Sequence, residues 1–134
     1  MSRSLTPEVY MEKAERALSA ARILLRADNP EGACNRAYYA MFDAAHSALL
    51  AANVGEADTT IKTHSGLISA FGKDLVQAGL IDAEHGRSFN QVHRLRQLAD
   101  YTGDPVSVDD ATWALDQAQA FVTAIKSQFS IDRE

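Results

Sequence analysis

One face of a predicted helix combines aromatic rings with polar side chains and has a cation beside it. Asn35, Tyr39, Phe42 and His46 follow one another at steps of four, three and four residues, which aligns them along one side of a helix. Arg36 lies next to this face in an otherwise apolar segment. One interpretation is that Arg36 reaches water at the surface, or pairs with a carboxylate there. The other is a polar site between helices, because a desolvated guanidinium needs a partner or an anionic ligand.

A basic cluster contrasts with the acidic chain, whose formal net charge is −5. It comprises Arg87, His93, Arg94 and Arg96, with His85 just ahead of it. His93, Arg96 and Asp100 share one helix face, so Arg96 and Asp100 can form an ordinary surface pair worth about 0.3–0.5 kcal/mol. A local basic cluster also has the electrostatics of a site for RNA or a nucleotide. Both interpretations remain open at this point.

The predicted start of the third helix contains Lys62, Thr63 and His64. Free backbone N–H groups at a helix start attract anions, and one cation and two hydrogen-bonding side chains accompany them here. The alternative is a helix start whose free N–H groups are hydrated and bind no ligand, which would account for the same residues. By itself this segment is weak evidence for an anion site.

Several chemistries are excluded because their residues are missing. The sequence has no Gly-rich phosphate loop, no cysteine pair for zinc, and neither a His-Glu-x-x-His nor a Glu-x-x-His motif. Its four histidines show no i, i+4 pairing suited to a metal. We therefore expect no metal centre and no cofactor. The single Cys34 cannot form an internal disulfide and is expected to be buried and inert.

Capping residues and apolar periodicity predict the elements that position these side chains. The predicted helices run from Thr6 to near Asp28, from Asn29 to about Ala52, from about His64 to Gly79, from Asp82 to Gly103, and onward from Ser107. In the third helix, the apolar stripe comprises Leu67, Ile68, Phe71, Leu75 and Ala78. The sequence has no stretch of alternating apolar and polar residues that would indicate a β-strand. The expected fold is all-α, an antiparallel four-helix up-and-down bundle with about five helices in total.

Length and composition predict a single globular domain over residues 1–134. Hydrophobic residues make up 46% of the chain and charged residues 23%, which is enough for a real core. No stretch approaches the roughly 18 apolar residues of a membrane span, and the first residues are charged, so a cytoplasmic location is expected. The acidic balance disfavours nonspecific nucleic-acid binding except at a local basic patch.

Three segments together resemble the HEPN family of small helical domains, and most closely an uncharacterised bacterial subgroup. The segments are Asn35-Arg36-Ala37-Tyr38-Tyr39-Ala40-Met41-Phe42, then Lys62-Thr63-His64-Ser65-Gly66-Leu67-Ile68-Ser69-Ala70-Phe71, then Arg96-Gln97-Leu98-Ala99-Asp100-Tyr101. The resemblance implies a helical domain that pairs as a homodimer and is associated with toxin–antitoxin systems. It also implies a metal-independent ribonuclease motif, Arg followed after four to six residues by His, at the dimer cleft.

The sequence departs from that motif after Arg96, because Tyr101, Thr102 and Gly103 occupy the positions where histidine is expected. Neither Asp100 nor Tyr101 has a pKa suited to moving protons at pH 7. Arg87 and His93 have the literal spacing, but they precede the matching segment, and short motifs often match by accident.

Three functions follow from the resemblance. The first is a noncatalytic homodimeric module that binds a nucleotide, RNA or a partner through Asn35, Arg36, Tyr39, Lys62, His64, Arg96, Asp100 and Tyr101. The second is a ribonuclease toxin that uses Arg96, or Arg87 with His93. The third is a protein-interaction mate of a minimal nucleotidyltransferase. The missing histidine favours binding over catalysis, and the wide apolar surface of the second helix is consistent with a dimer.

Overall fold

The computed structural model describes residues 6–53 and 63–131, and every regular element in these ranges is helical. The elements are α1 (Pro7–Arg26), α2 (Pro30–Ala52), α3 (His64–Phe71) with a π-helical turn after it (Gly72–Val76), α4 (Ala83–Thr102) and α5 (Val108–Phe129). The all-α bundle with five helices is therefore confirmed. None of the described helices is both long and apolar enough to cross a membrane.

Side-chain caps explain where most helices begin. The hydroxyls of Thr6, Thr63 and Ser107 and the amide oxygen of Asn29 each accept a hydrogen bond from a backbone N–H three residues ahead, at 2.9–3.2 Å. Asp82 occupies the N-cap position directly before α4, as expected, but its side chain makes no cap hydrogen bond. Its predicted role as a side-chain cap is therefore wrong.

The second helix is the centre of the bundle, because α1, α3, α4 and α5 all contact it. Only three residues separate α1 from α2, so these two helices pack as antiparallel neighbours. Alanines line much of the buried face of α2, and Tyr38, Met41 and Leu49 fill the larger spaces. This arrangement places α2 at the centre of the bundle.

Three phenylalanines hold α3, α4 and α5 together. The Phe71 ring lies 5.8 Å from Phe89 and 5.0 Å from Phe121, and Phe89 lies 5.2 Å from Phe121, centroid to centroid. All three side chains are fully buried. Their packing fixes the short α3, whose glycines give it a low intrinsic helix propensity.

The third helix does not continue to Gly79 as one α-helix. The α-helical part ends at Phe71, the π-helical turn ends at Val76, and Gly79 adopts a positive φ of 79°. The backbone N–H groups of Leu80 and Ile81 then bond the carbonyl of Leu75 and close the turn. Ala78 is exposed and is not part of the core. The Ala78 side chain is a single methyl group, and its burial would stabilise a longer helix too little. Ile81, beyond the turn, is buried instead.

Candidate functional site

Tyr38 is the point at which α2, α3 and α4 bring their polar side chains together. Its buried ring lies 5.5 Å from the His64 ring and 5.1 Å from the His93 ring, and the Arg96 guanidinium lies 4.7 Å above it. The Tyr39 ring is 5.3 Å from the Tyr38 ring. We call these five residues the Tyr38 cluster.

The Arg96 guanidinium is held against two aromatic faces, at 4.7 Å from the Tyr38 ring and 5.4 Å from the Tyr39 ring. Its Nε and Nη1 atoms are buried and have no hydrogen-bond partner among the residues that the structure describes. The nearest carboxylate oxygen, Oδ2 of Asp100, is 3.9 Å from Nε, which is too far for a hydrogen bond. The side chain of Asp100 is 63% exposed and that of Arg96 only 20% exposed. The guanidinium therefore retains unused hydrogen-bonding capacity.

Arg36 and Arg96 come from different helices and lie against the same ring. The Arg36 guanidinium is 4.8 Å from the centre of Tyr39, which Arg96 also contacts. Asn35 and Arg96 line a cleft of about 520 Å³ between α2 and the end of α4. Two arginines, an amide and a half-buried aromatic ring thus surround one region of the surface.

The two histidines of the Tyr38 cluster are electrically neutral near pH 7. Burial and the Arg96 guanidinium both lower the pKa of His64, and the same causes lower the pKa of His93. A 2.6 Å hydrogen bond joins Tyr38 Oη to His64 Nδ1, and burial raises the pKa of the Tyr38 phenol. Within the described ranges, the buried Nδ1 of His93 has no partner. Neutral imidazoles beside a fixed guanidinium can accept and donate protons near neutral pH.

Most of the predicted site residues converge, although not all of them do. Asn35, Arg36, Tyr39, His64 and Arg96 are brought together, and His93 joins them. Asp100 lines the edge of the cleft, whereas Tyr101 is 92% exposed. Lys62 lies outside the described residues. The central role of Tyr38 was missed, because its position on the apolar stripe predicted only a core residue. A buried phenol usually needs a hydrogen-bond partner, and that rule would have identified Tyr38 as a candidate site residue.

The wide apolar face of α2 is partly used within the chain itself. The Phe42 ring lies 4.7 Å from the His64 ring, and the Tyr39 ring lies 5.7 Å from it. Both side chains are half-buried beneath α3 and α4. The width of this face is therefore explained in part by contacts within the chain itself and is not in itself a sign of a dimer interface.

Asp43 forms a second polar cluster, next to Arg36 on α2. It is buried, and burial raises its pKa to about 6 even though Lys13 and Arg36 oppose the shift. Close by, Tyr10 stacks on His46 at 4.7 Å, and burial lowers the pKa of His46. The ionised Asp43 carboxylate is thus disfavoured in the folded chain relative to the unfolded one.

An Asp43→Asn variant should therefore change the pH dependence of stability. The folded pKa of Asp43 lies above the unfolded value, so the wild-type chain loses stability relative to the variant as the pH rises from about 4 to 6. The free energy of unfolding of the variant, measured relative to that of the wild type, should rise by about 1–3 kcal/mol between pH 4 and pH 7. Urea unfolding at both pH values measures the difference. Equal differences at the two pH values would contradict the prediction.

Comparison with known proteins gives one consistent family. Residues 7–128 match the model of the HEPN domain. A Methanocaldococcus jannaschii protein that carries the name "Putative toxin" is 37% identical over 119 residues, covering 89% of this chain and 85% of the relative. A UPF0332 protein of Gloeobacter violaceus is 39% identical over 122 residues, covering 88% of this chain and 93% of the relative. A UPF0332 protein of Thermotoga maritima is 30% identical over 122 residues, covering 89% of this chain and 87% of the relative.

Proposed function

Because the chain belongs to the HEPN family, as its three motif segments indicated, we propose that it is a toxin-like module that binds RNA through the phosphate backbone. The observation that carries the proposal is the buried guanidinium of Arg96, whose Nε and Nη1 lack hydrogen-bond partners in the described part of the chain. Leaving buried donors unpaired costs about 1–3 kcal/mol. Phosphate oxygens that reach these donors from the cleft would pair with them and recover that energy.

The surroundings of Arg96 also fit an RNA ligand. The face of Tyr38 supports the guanidinium from one side, which limits its freedom before a ligand arrives. The half-buried Tyr39 ring carries both the Arg36 and the Arg96 guanidinium groups, so two cations lie together where RNA phosphates would bind. Asp100 lines the same cleft and is well exposed, so its carboxylate is the group that an entering phosphate displaces.

The experiment is a fluorescence anisotropy titration of a labelled single-stranded RNA at about 50 and 200 mM salt. We expect binding that weakens as the salt concentration rises, because the protein would release counterions from the phosphates. Absence of binding at 50 mM salt, with the protein at about 100 µM, would overturn the proposal.

A second function, metal-independent RNA cleavage, is favoured by one observation. The family motif expects a histidine after Arg96 in the sequence, and the fold instead brings His64 and His93 to the ring beneath Arg96. In this function, a neutral imidazole accepts the proton of an RNA 2′-hydroxyl as its oxygen bonds to the adjacent phosphorus. The bond from phosphorus to the 5′-oxygen breaks, that oxygen takes a proton from water, and Arg96 stabilises the charge on the phosphate.

Cleavage of cellular RNA by the pure protein in EDTA tests this second function. If it holds, His93→Ala should slow cleavage by roughly a hundredfold or more, which is the usual contribution of an acid–base group. The control is His85→Ala, since His85 is not part of the Tyr38 cluster. RNA that binds but stays intact with the wild-type protein would exclude catalysis and leave the binding function in place.

We further propose that the module is a homodimer within a toxin–antitoxin system. The name of the Methanocaldococcus jannaschii relative supports the toxin-like role. On α4, Leu98 and Tyr101 are 57% and 92% exposed, lie three residues apart and flank Asp100 at the cleft. Such exposed apolar side chains are consistent with a contact between subunits. A monomer mass in light scattering at micromolar concentration would contradict the dimer.

A neighbouring nucleotidyltransferase gene would favour the alternative in which the chain is the interaction mate of that enzyme. A gene that stands alone would count against it. This alternative does not require RNA binding, so the anisotropy titration separates it from the main proposal.

A further inference from the structure

A second concave surface lies between α3 with its π-helical turn and the first half of α4. This α3–α4 groove has a volume of about 630 Å³, within the range of sites that hold a nucleotide-sized ligand. Its floor includes the half-buried side chains of Ile68 and Val76, and Gly72 lies at its wall. The neighbouring helices approach closely here, because a Cβ atom on Gly86 would lie 3.2 Å from Val76 Cγ2.

The charge of the groove is opposite to that of the whole chain. Lys73 and Arg87 are exposed and line it from opposite sides, one on the π-helical turn and one on α4. Among the described residues that line the groove, none is acidic, although the net charge of the chain is −5. A concave surface with two cations and an apolar floor is complementary to a base and its phosphates.

His93 connects the groove to the Tyr38 cluster. It lines the groove and is only 8% exposed, and its ring lies 5.1 Å from Tyr38 and parallel to His64 at 6.1 Å. Its Nδ1 has no hydrogen-bond partner in the ranges that the structure describes. Arg96 lies over the same Tyr38 ring. A ligand that follows the surface from Arg96 to the groove therefore passes the two histidines.

We propose that the α3–α4 groove binds the nucleotide next to the phosphate that Arg96 holds. The ligand is then an extended single-stranded RNA, not a mononucleotide. Ile68 and Val76 contact the base, and Lys73 and Arg87 pair with backbone phosphates. This inference rests on the proposed RNA-binding function, because Arg96 supplies the first contact.

The charge part of the proposal is tested with a Lys73→Ala/Arg87→Ala double variant and a labelled RNA of about ten uridines. We expect roughly tenfold weaker binding and a salt slope reduced by about 1.4, since each single-strand phosphate contact contributes about 0.7. The control is Arg16→Ala/Arg26→Ala, which removes two exposed cations from α1 and the same amount of charge.

The shape part is tested at Gly72, where an added Cβ atom meets nothing within 4 Å. Its φ of −63° suits any residue, so Gly72→Leu should fold at least as stably as the wild type. The leucine side chain would fill the groove and weaken the binding of the uridine RNA by about tenfold, whereas Gly72→Ala, with the same backbone effect, should bind nearly as the wild type does.

The outcomes separate the groove from the Arg96 site. RNA binding that depends on Arg96 but is unchanged in the Lys73/Arg87 and Gly72→Leu variants would overturn the groove alone. If the wild-type protein binds no RNA, both proposals are wrong. An equal loss in the Arg16/Arg26 control would also overturn the groove, because the effect would then come from overall charge.

Discussion

Replacing Arg96 by alanine is expected to weaken the binding of single-stranded RNA by about 30-fold, or about 2 kcal/mol. Arg96 presents two buried N–H donors without partners in the described chain, so it has more to gain from a phosphate than any solvated cation has. Anisotropy titrations of the variant and the wild type at about 50 mM salt measure the loss.

Two further variants isolate the role of the guanidinium. Arg96→Lys keeps the charge but cannot form the planar, two-point contact, so it should recover only a small part of the affinity. Arg26→Ala removes one exposed cation from α1 and should change binding by less than about threefold. If Arg96→Ala bound RNA as tightly as the wild type, the cleft would not be the RNA site.

Replacing Phe89 by alanine should lower the free energy of unfolding by about 3–5 kcal/mol. The Phe89 ring is fully buried, packs against Phe71 and Phe121, and stacks at 6.1 Å on Tyr38. Its loss leaves a cavity at the junction of α3, α4 and α5, which the surrounding helices can fill only in part. Urea unfolding followed by circular dichroism measures the change.

The matched control lies on α1. Ile23 is 56% exposed, and Ile23→Ala should change the free energy of unfolding by less than about 0.5 kcal/mol. A loss below about 1 kcal/mol in Phe89→Ala would mean that the three phenylalanines do not join the helices as the structure indicates. Phe89→Ala should also weaken RNA binding, because Tyr38 loses the ring that supports it.

Local patterns predicted the helices well. Thr6, Asn29 and Ser107 cap helices at the expected positions, because a side-chain cap involves only residues three apart in the chain. The periodic apolar stripes likewise identified the buried faces of α1, α2 and α5. The end of the third helix was wrong because the π-helical turn depends on the burial of Leu75 and Ile81, which is a matter of contacts with other helices.

The sequence by itself determined the helices and identified Arg36, His64 and Arg96 as candidate site residues, since these follow from residue type and short-range spacing. Tertiary structure alone decided that His64, His93 and Arg96 meet at Tyr38, and that Lys73 faces Arg87 across a groove. These contacts depend on how each helix is rotated and placed against α2. Packing of the whole core sets that rotation, because moving one helix by a single residue turns its side chains by about 100°.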